Sequence, residues 1–135
     1  MRLMRVGVLI ALFLAGCVSW HVLKPLTANN VQVGQITLYV VSAEYTRSGG
    51  QLRLVVMADN RTGEPQPFDP HWIAIKGASN ALFQPEGARP PMIGSIPPGT
   101  RAQVSYLFRH IPEPEMGSCS LMVAGTETMQ FSGFY

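Results

Sequence analysis

The stretch that decides the fold is Gln35-Ile36-Thr37-Leu38-Tyr39-Val40-Val41-Ser42-Ala43-Glu44-Tyr45-Thr46, followed after Arg47-Ser48-Gly49-Gly50 by Gln51-Leu52-Arg53-Leu54-Val55-Val56-Met57-Ala58-Asp59. Both runs are rich in β-branched and aromatic residues and alternate with period two. Ser48-Gly49-Gly50 supplies the residues that turn a chain back on itself, so the pair reads as a hairpin. On the first strand Ile36, Leu38, Val40 and Ser42 share one face, with Thr37, Tyr39, Val41 and Ala43 on the other. On the second, Leu52, Leu54, Val56 and Ala58 are expected inward, with Gln51, Arg53, Val55 and Met57 outward.

Beyond this hairpin the same grammar continues, with short apolar runs between Pro/Gly-rich breaks. Asn60 to Pro70 reads as loop, Trp72 to Lys76 as a strand, and Gly77-Ala78-Ser79-Asn80 as a turn into a short strand at Ala81 to Gln84. Pro85 to Pro91 reads as loop and Met92 to Ile96 as a short edge strand. The turn Pro97-Pro98-Gly99-Thr100 leads into Arg101 to Arg109, where Ala102, Val104, Tyr106 and Phe108 share a face. Ile111 to Gly117 is loop, Ser118 to Ala124 a strand and Thr128 to Phe134 the last strand, with Met129, Phe131 and Tyr135 toward the core. No segment offers three turns of amphipathic helix. Seven to eight short strands at this spacing predict an all-β sandwich spanning residues 35–135.

The opening of the chain is of another kind. Arg2 and Arg5 precede an apolar run from Val6 to Leu14, which ends in Leu14-Ala15-Gly16-Cys17. An ordinary cleaved signal and a spanning helix are the competing readings. Ser19 and His21 interrupt the apolar stretch, which falls short of the roughly 20 residues that cross a bilayer. Leu14-Ala15-Gly16-Cys17 resembles the lipobox of bacterial lipoproteins. The resemblance implies cleavage between Gly16 and Cys17, a diacylglyceryl group on the Cys17 thiol and an acylated new N-terminus. It further implies, from the absence of Asp after the cysteine (Val18 and Ser19 stand there), the outer membrane, periplasmic side, in a host that has one. Residues 17–34 then read as a lipidated tether, with no sustained period.

Three segments of the remainder resemble the telokin-like, immunoglobulin-fold domain of unknown function found in bacterial lipoproteins. They are Leu54 to Thr62, with its Asn60-Arg61-Thr62 corner; Ile73 to Gln84; and Ile96 to Phe108, with the Pro98-Gly99 turn. The resemblance implies an immunoglobulin-like sandwich and transfers no catalytic or binding residue, since one fold hosts many functions.

Cleavage after Gly16 leaves 119 of the 135 residues, one small domain. Loss of Arg2 and Arg5 reduces ten basic residues to eight, which balance eight acidic ones. A neutral domain lacks the electrostatic footprint of a nucleic-acid binder, so no nucleic-acid partner is expected. Once Cys17 carries lipid, Cys119 has no intramolecular partner and reads as a buried small hydrophobe, or else as half of an intermolecular disulfide.

Chemistry is sparse. There is no phosphate loop, dinucleotide fingerprint or zinc spacing, and Ser95 lacks the glycine and helix of a nucleophile elbow. No cofactor and no enzymatic activity are expected. Glu113 and Glu115, set among prolines, read as a solvated rigid loop. His71, His110, Met92 and Met116 form a weak copper-binding set, because imidazole and thioether together suit that metal. Phe68, Trp72 and Phe134 are more aromatic than loops and termini usually are, which suggests a docking patch for an envelope protein. Three functional expectations follow: a membrane-anchored, non-enzymatic interaction or accessory module of an envelope or secretion assembly; a small-ligand or copper-binding protein; or an inhibitor or exclusion lipoprotein acting through a protruding Asn60 to Pro70 loop.

Overall fold

The computed structural model describes residues 19–25, 30–91 and 93–132; Gly16, Cys17, Met92, Phe134 and Tyr135 lie outside them. The chain is all-β. In order the strands are β1 (His21–Val22), β2 (Lys24–Pro25), β3 (Asn30–Val33), β4 (Ile36–Thr46), β5 (Gln51–Asp59), β6 (Gln66–Pro67), β7 (Ile73–Lys76), β8 (Leu82–Phe83), β9 (Gly87–Arg89), β10 (Ser95–Ile96), β11 (Arg101–Phe108), β12 (Ser118–Val123) and β13 (Thr126–Ser132). One sheet runs β1-β4-β5-β11-β9, with β3 also on β4, and the other runs β2-β13-β12-β7-β8. β6 and β10 form a separate two-stranded ribbon. Every pairing is antiparallel. Among the described residues no helix is long and apolar enough to cross a membrane.

The core lies between the two sheets. β5 presents Leu52, Leu54, Val56 and Ala58 to it, and β11 presents Val104, Tyr106 and Phe108, as their alternation predicts. From the opposite sheet come Ile73, Ile75, Leu121, Val123, Met129 and Phe131. Burying each large aliphatic or aromatic side chain removes apolar surface from water at roughly 25 cal/mol per Å², which is what holds two short-stranded sheets together.

β4 departs from its predicted alternation. Its register against β5 slips between Val40 and Ser42, so Val41 is an extra residue. A bulge of one residue moves every later side chain to the opposite face. Ile36 and Leu38 are buried before it; after it Ala43 and Tyr45 are buried, and Val41 is left exposed. Ser42 and Ala43 thus exchange the faces expected of them. Tyr45, turned inward, donates its hydroxyl to the Ile111 carbonyl at 2.6 Å.

The predicted tether over residues 17–34 is replaced, where described, by strands. β1 pairs with Tyr45 and Glu44, and Leu23 is buried and donates its N–H to the Ala43 carbonyl. The chain then crosses to the other sheet as β2, paired with Phe131 and Ser132, and returns to β4 as β3. Two-residue strands are too short to carry a readable period, which is why this segment looks featureless in sequence. The same holds for β9, inside the predicted Pro85 to Pro91 loop, and for β6, inside the Asn60 to Pro70 loop. That second loop is tied down in its later part, where β6 pairs with β10 and Phe68 is buried in the core, while Arg61 and Gly63 to Pro65 are exposed.

Two turns test glycine in opposite surroundings. Gly99 has φ +66° and open space where a Cβ would go, whereas Gly50 has φ +57° and a Cβ would stand 2.5 Å from the Ile111 carbonyl oxygen. Gly50 is held there because its own carbonyl accepts the Ile111 N–H at 3.0 Å. Gly99→Ala should therefore cost about 1 kcal/mol from backbone strain alone. Gly50→Ala should cost about 2 kcal/mol, since strain and overpacking add. Urea midpoints of the two variants check the order.

Candidate functional site

The predicted aromatic patch divides on folding. Phe68 is buried. Trp72 is half-buried and stands edge-on to the Phe68 ring, with centroids 5.8 Å apart and planes at 80°, a favoured aromatic geometry. Phe134 lies outside the described residues.

Trp72 is positioned by a short 3-10 turn over Pro70–Trp72. Pro70 begins it with a preset φ, and the Asp69 carboxylate caps it, accepting the His71 N–H at 2.9 Å and lying 2.9 Å from His71 Nδ1. The backbone hydrogen bond from His71, with its side chain adding, holds the Asp69 carboxyl below its usual range. The Trp72 N–H donates to the Asp69 carbonyl, and the Trp72 carbonyl accepts the Ala124 N–H at 2.9 Å, so both backbone groups are committed.

Around this turn opens a groove of about 370 Å³, lined by Pro67, Phe68, Asp69, Pro70, His71, Trp72, Pro91, Ile93 and Gly94. Prolines, Ile93 and the indole make its walls apolar, and Asp69 and His71 are its polar points. A smaller groove of about 180 Å³ shares Pro67 and Trp72 and reaches Val33 to Ile36. Trp72 thus borders two clefts at the end of the sandwich where β4 begins and β5 ends. A larger groove, about 470 Å³, lies on β9 and β11 and includes Arg53, Val55 and Arg89. Its aromatic member, Tyr106, is buried, whereas the Trp72 indole is only half-buried and can be reached from outside, so the Trp72 groove is the stronger candidate. Near the latter, the Tyr106 hydroxyl is buried with no hydrogen-bond partner among the described residues. Burial raises its pKa well above the ordinary phenol value, with the negative charge of Asp69 adding.

The three metal candidates among the described residues, His71, His110 and Met116, do not converge. His71 precedes Ile73, which pairs with Val123 at one end of β12, whereas Met116 lies just before Ser118 at the other. The six-residue strand between them spans roughly 17 Å. Met116 is fully buried, and His110 lies at the Met116 end, where its N–H donates to the Gly49 carbonyl. Met92 is outside the described residues. No group of three or more His, Cys, Asp or Glu placed to hold a metal occurs among the described residues.

Cys119 is a buried free thiol in β12, opposite Phe131. Burial pushes its pKa up to about 12, so it is protonated at neutral pH and behaves as a small hydrophobe. This favours the buried reading over an intermolecular disulfide. Glu113 and Glu115 are more engaged than a solvated loop: Glu113 pairs with Arg47 at 2.9 Å, and the Glu115 carboxylate accepts the Ser79 N–H and hydroxyl.

The sequence matches no protein-family model and no curated protein. Among solved structures the chain is similar to a functionally unknown protein from Listeria monocytogenes EGD-e, at 11% identity and TM-score 0.60, over 87% of this chain and 86% of that one. It is also similar to a conserved hypothetical protein from Bacillus anthracis, at 10% identity and TM-score 0.53, over 83% of this chain and 96% of that one. At these identities the likeness establishes one thing, a shared all-β sandwich fold.

Proposed function

We propose that this protein is a lipid-anchored, non-enzymatic interaction module of the cell envelope. In this reading Cys17 carries the lipid and the immunoglobulin-like sandwich offers the Trp72 groove to a partner protein. In a host with two membranes the anchor lies in the periplasmic leaflet of the outer one. The observation that carries the proposal is the fixed, half-buried indole at the border of an apolar, proline-walled groove. A large aromatic group whose backbone is fully hydrogen-bonded and whose ring rests on Phe68 loses little entropy on docking, and such residues carry a disproportionate share of interface energy. The copper reading loses its geometric support with the separation of His71 from His110 and Met116. The inhibitor reading is left with a shorter free loop, since Gln66 to Phe68 is tied down.

Site-specific photo-cross-linking in intact cells tests the proposal. A photoreactive residue replacing His71 should give a discrete adduct with one protein, and the adduct should disappear in the Trp72→Ala background. The same residue replacing Gln103, exposed on the outer face of β11, should give none. A urea titration of Trp72→Ala separates loss of docking from loss of fold. Equal adducts from both positions, or an adduct at His71 indifferent to Trp72, would contradict the assignment.

A further inference from the structure

We propose that the outer face of β1, with its neighbours on β4 and β5, lies against the lipid surface, so that the Trp72 groove is held at the far end of the sandwich. The proposal rests on the lipid anchor at Cys17 and adds an orientation to it.

The sandwich begins almost at the anchor. Trp20 is already fixed, its ring 3.6 Å beneath the Arg53 guanidinium, and His21 and Val22 are paired with Tyr45 and Glu44. Two residues, Val18 and Ser19, separate Trp20 from Cys17, and the three Cα-to-Cα steps of this span reach at most about 11 Å however extended. A tether through residue 34 would have let the domain move freely, whereas this span holds β1 next to the headgroups.

The surface within that reach suits a bilayer. Trp20, just before β1, and Val22 on it share the outer face by period two, and Val41 is turned out beside them by the bulge in β4. Val22 and Val41, two of the three large hydrophobic residues that are exposed among the described residues, border one groove with Pro25. Arg53, which stacks on Trp20, is paired with Glu44 at 3.3 Å, and the exposed Lys24, two residues after Val22, adds a cation at the edge of the patch. An indole with an apolar body and a polar edge is the side chain best suited to the headgroup boundary. Because Trp20, Val22 and Val41 are uncharged and Arg53 is paired, contact should not require anionic lipid and should occur on zwitterionic lipid.

The opposite end follows from the strand lengths. Trp20 enters beside the Tyr45 end of β4, and Trp72 shares a cleft with Ile36 at the other end. Nine residues of strand place these ends roughly 30 Å apart. The chain contains two tryptophans, one at each end, so fluorescence can read the orientation.

The full-length lipidated protein, reconstituted into phosphatidylcholine vesicles brominated near the top of the acyl chains, provides the test. With Trp20 as the sole tryptophan (Trp72→Phe), bromination should remove most of the emission. With Trp72 as the sole tryptophan (Trp20→Phe), emission should be unchanged. Flotation of the same samples reports the anchor separately. Protein that floats yet shows an unquenched Trp20, or equal quenching at both ends, would overturn the orientation and leave the anchor standing. Protein that does not float would overturn the anchor and the orientation with it.

Discussion

Replacing Phe131 by alanine should lower the unfolding free energy by about 3–5 kcal/mol, the range for deleting a buried phenyl ring. Phe131 lies on the core face of β13, 2% exposed, opposite Cys119 on one side and Pro25 on the other. Its ring therefore joins the central strands of its sheet to the returning N-terminal segment, and the resulting cavity would loosen both. Total stabilities of small domains are about 5–15 kcal/mol, so the variant should unfold at a much lower urea concentration or fail to accumulate. Met129, two residues earlier, is buried to the same degree, and Gln130 between them is exposed, which places the register as the sequence alternation predicts. A Phe131→Ala variant less destabilised than a Gln130→Ala variant would show that register to be wrong by one residue.

Asn60→Ala should cost about 3 kcal/mol, more than any surface substitution in this chain. Asn60 is fully buried at the corner where β5 ends. Its Nδ2 donates to the carbonyls of Glu64 and Ile96, each at 2.8 Å, and its Oδ1 accepts the Thr62 N–H at 3.0 Å and the Thr62 hydroxyl at 2.7 Å. Its own N–H donates to the Thr100 carbonyl. One amide thus fastens the loop after β5 to the β10 strand and the Pro98-Gly99 turn. Alanine removes the amide donor from the buried Ile96 carbonyl and the amide acceptor from the part-buried Thr62 N–H, and each group left unpaired costs about 1–3 kcal/mol. Asn60→Asp should be no better, because a carboxylate oxygen would face two carbonyl oxygens in place of the donor. Comparable urea midpoints for wild type and Asn60→Asp would refute this account of the corner.

The long elements of this fold are legible from the residues because alternation over eight or more positions leaves one consistent inward face. β5 and β11 show this, and β13 does so from Met129 to Phe131. The left-handed Gly99 turn is legible for a similar reason, since Pro98-Gly99 admits few dihedrals. Alternation reads wrongly where a local irregularity is invisible to it, as at Val41, whose bulge reverses Ser42 and Ala43. It is silent about β1, β2, β6 and β9, which are two or three residues long and are fixed by distant partners. The candidate site was half legible. Trp72 stands where an exposed aromatic was expected, but Phe68 proved to be its support, because nothing local says that the loop after β5 folds back onto β10. The dispersal of His71, His110 and Met116 is a consequence of strand direction, which spacing along the chain does not encode.

The anchor at Cys17 underlies both the proposed docking role and the proposed orientation, so metabolic labelling with palmitate in the producing cells tests the account most directly. The wild-type chain should incorporate label and migrate as the processed form that begins at Cys17. Cys17→Ser should accumulate as an unlabelled, unprocessed precursor. A Cys17→Ser chain that is processed and labelled like the wild type would contradict the account.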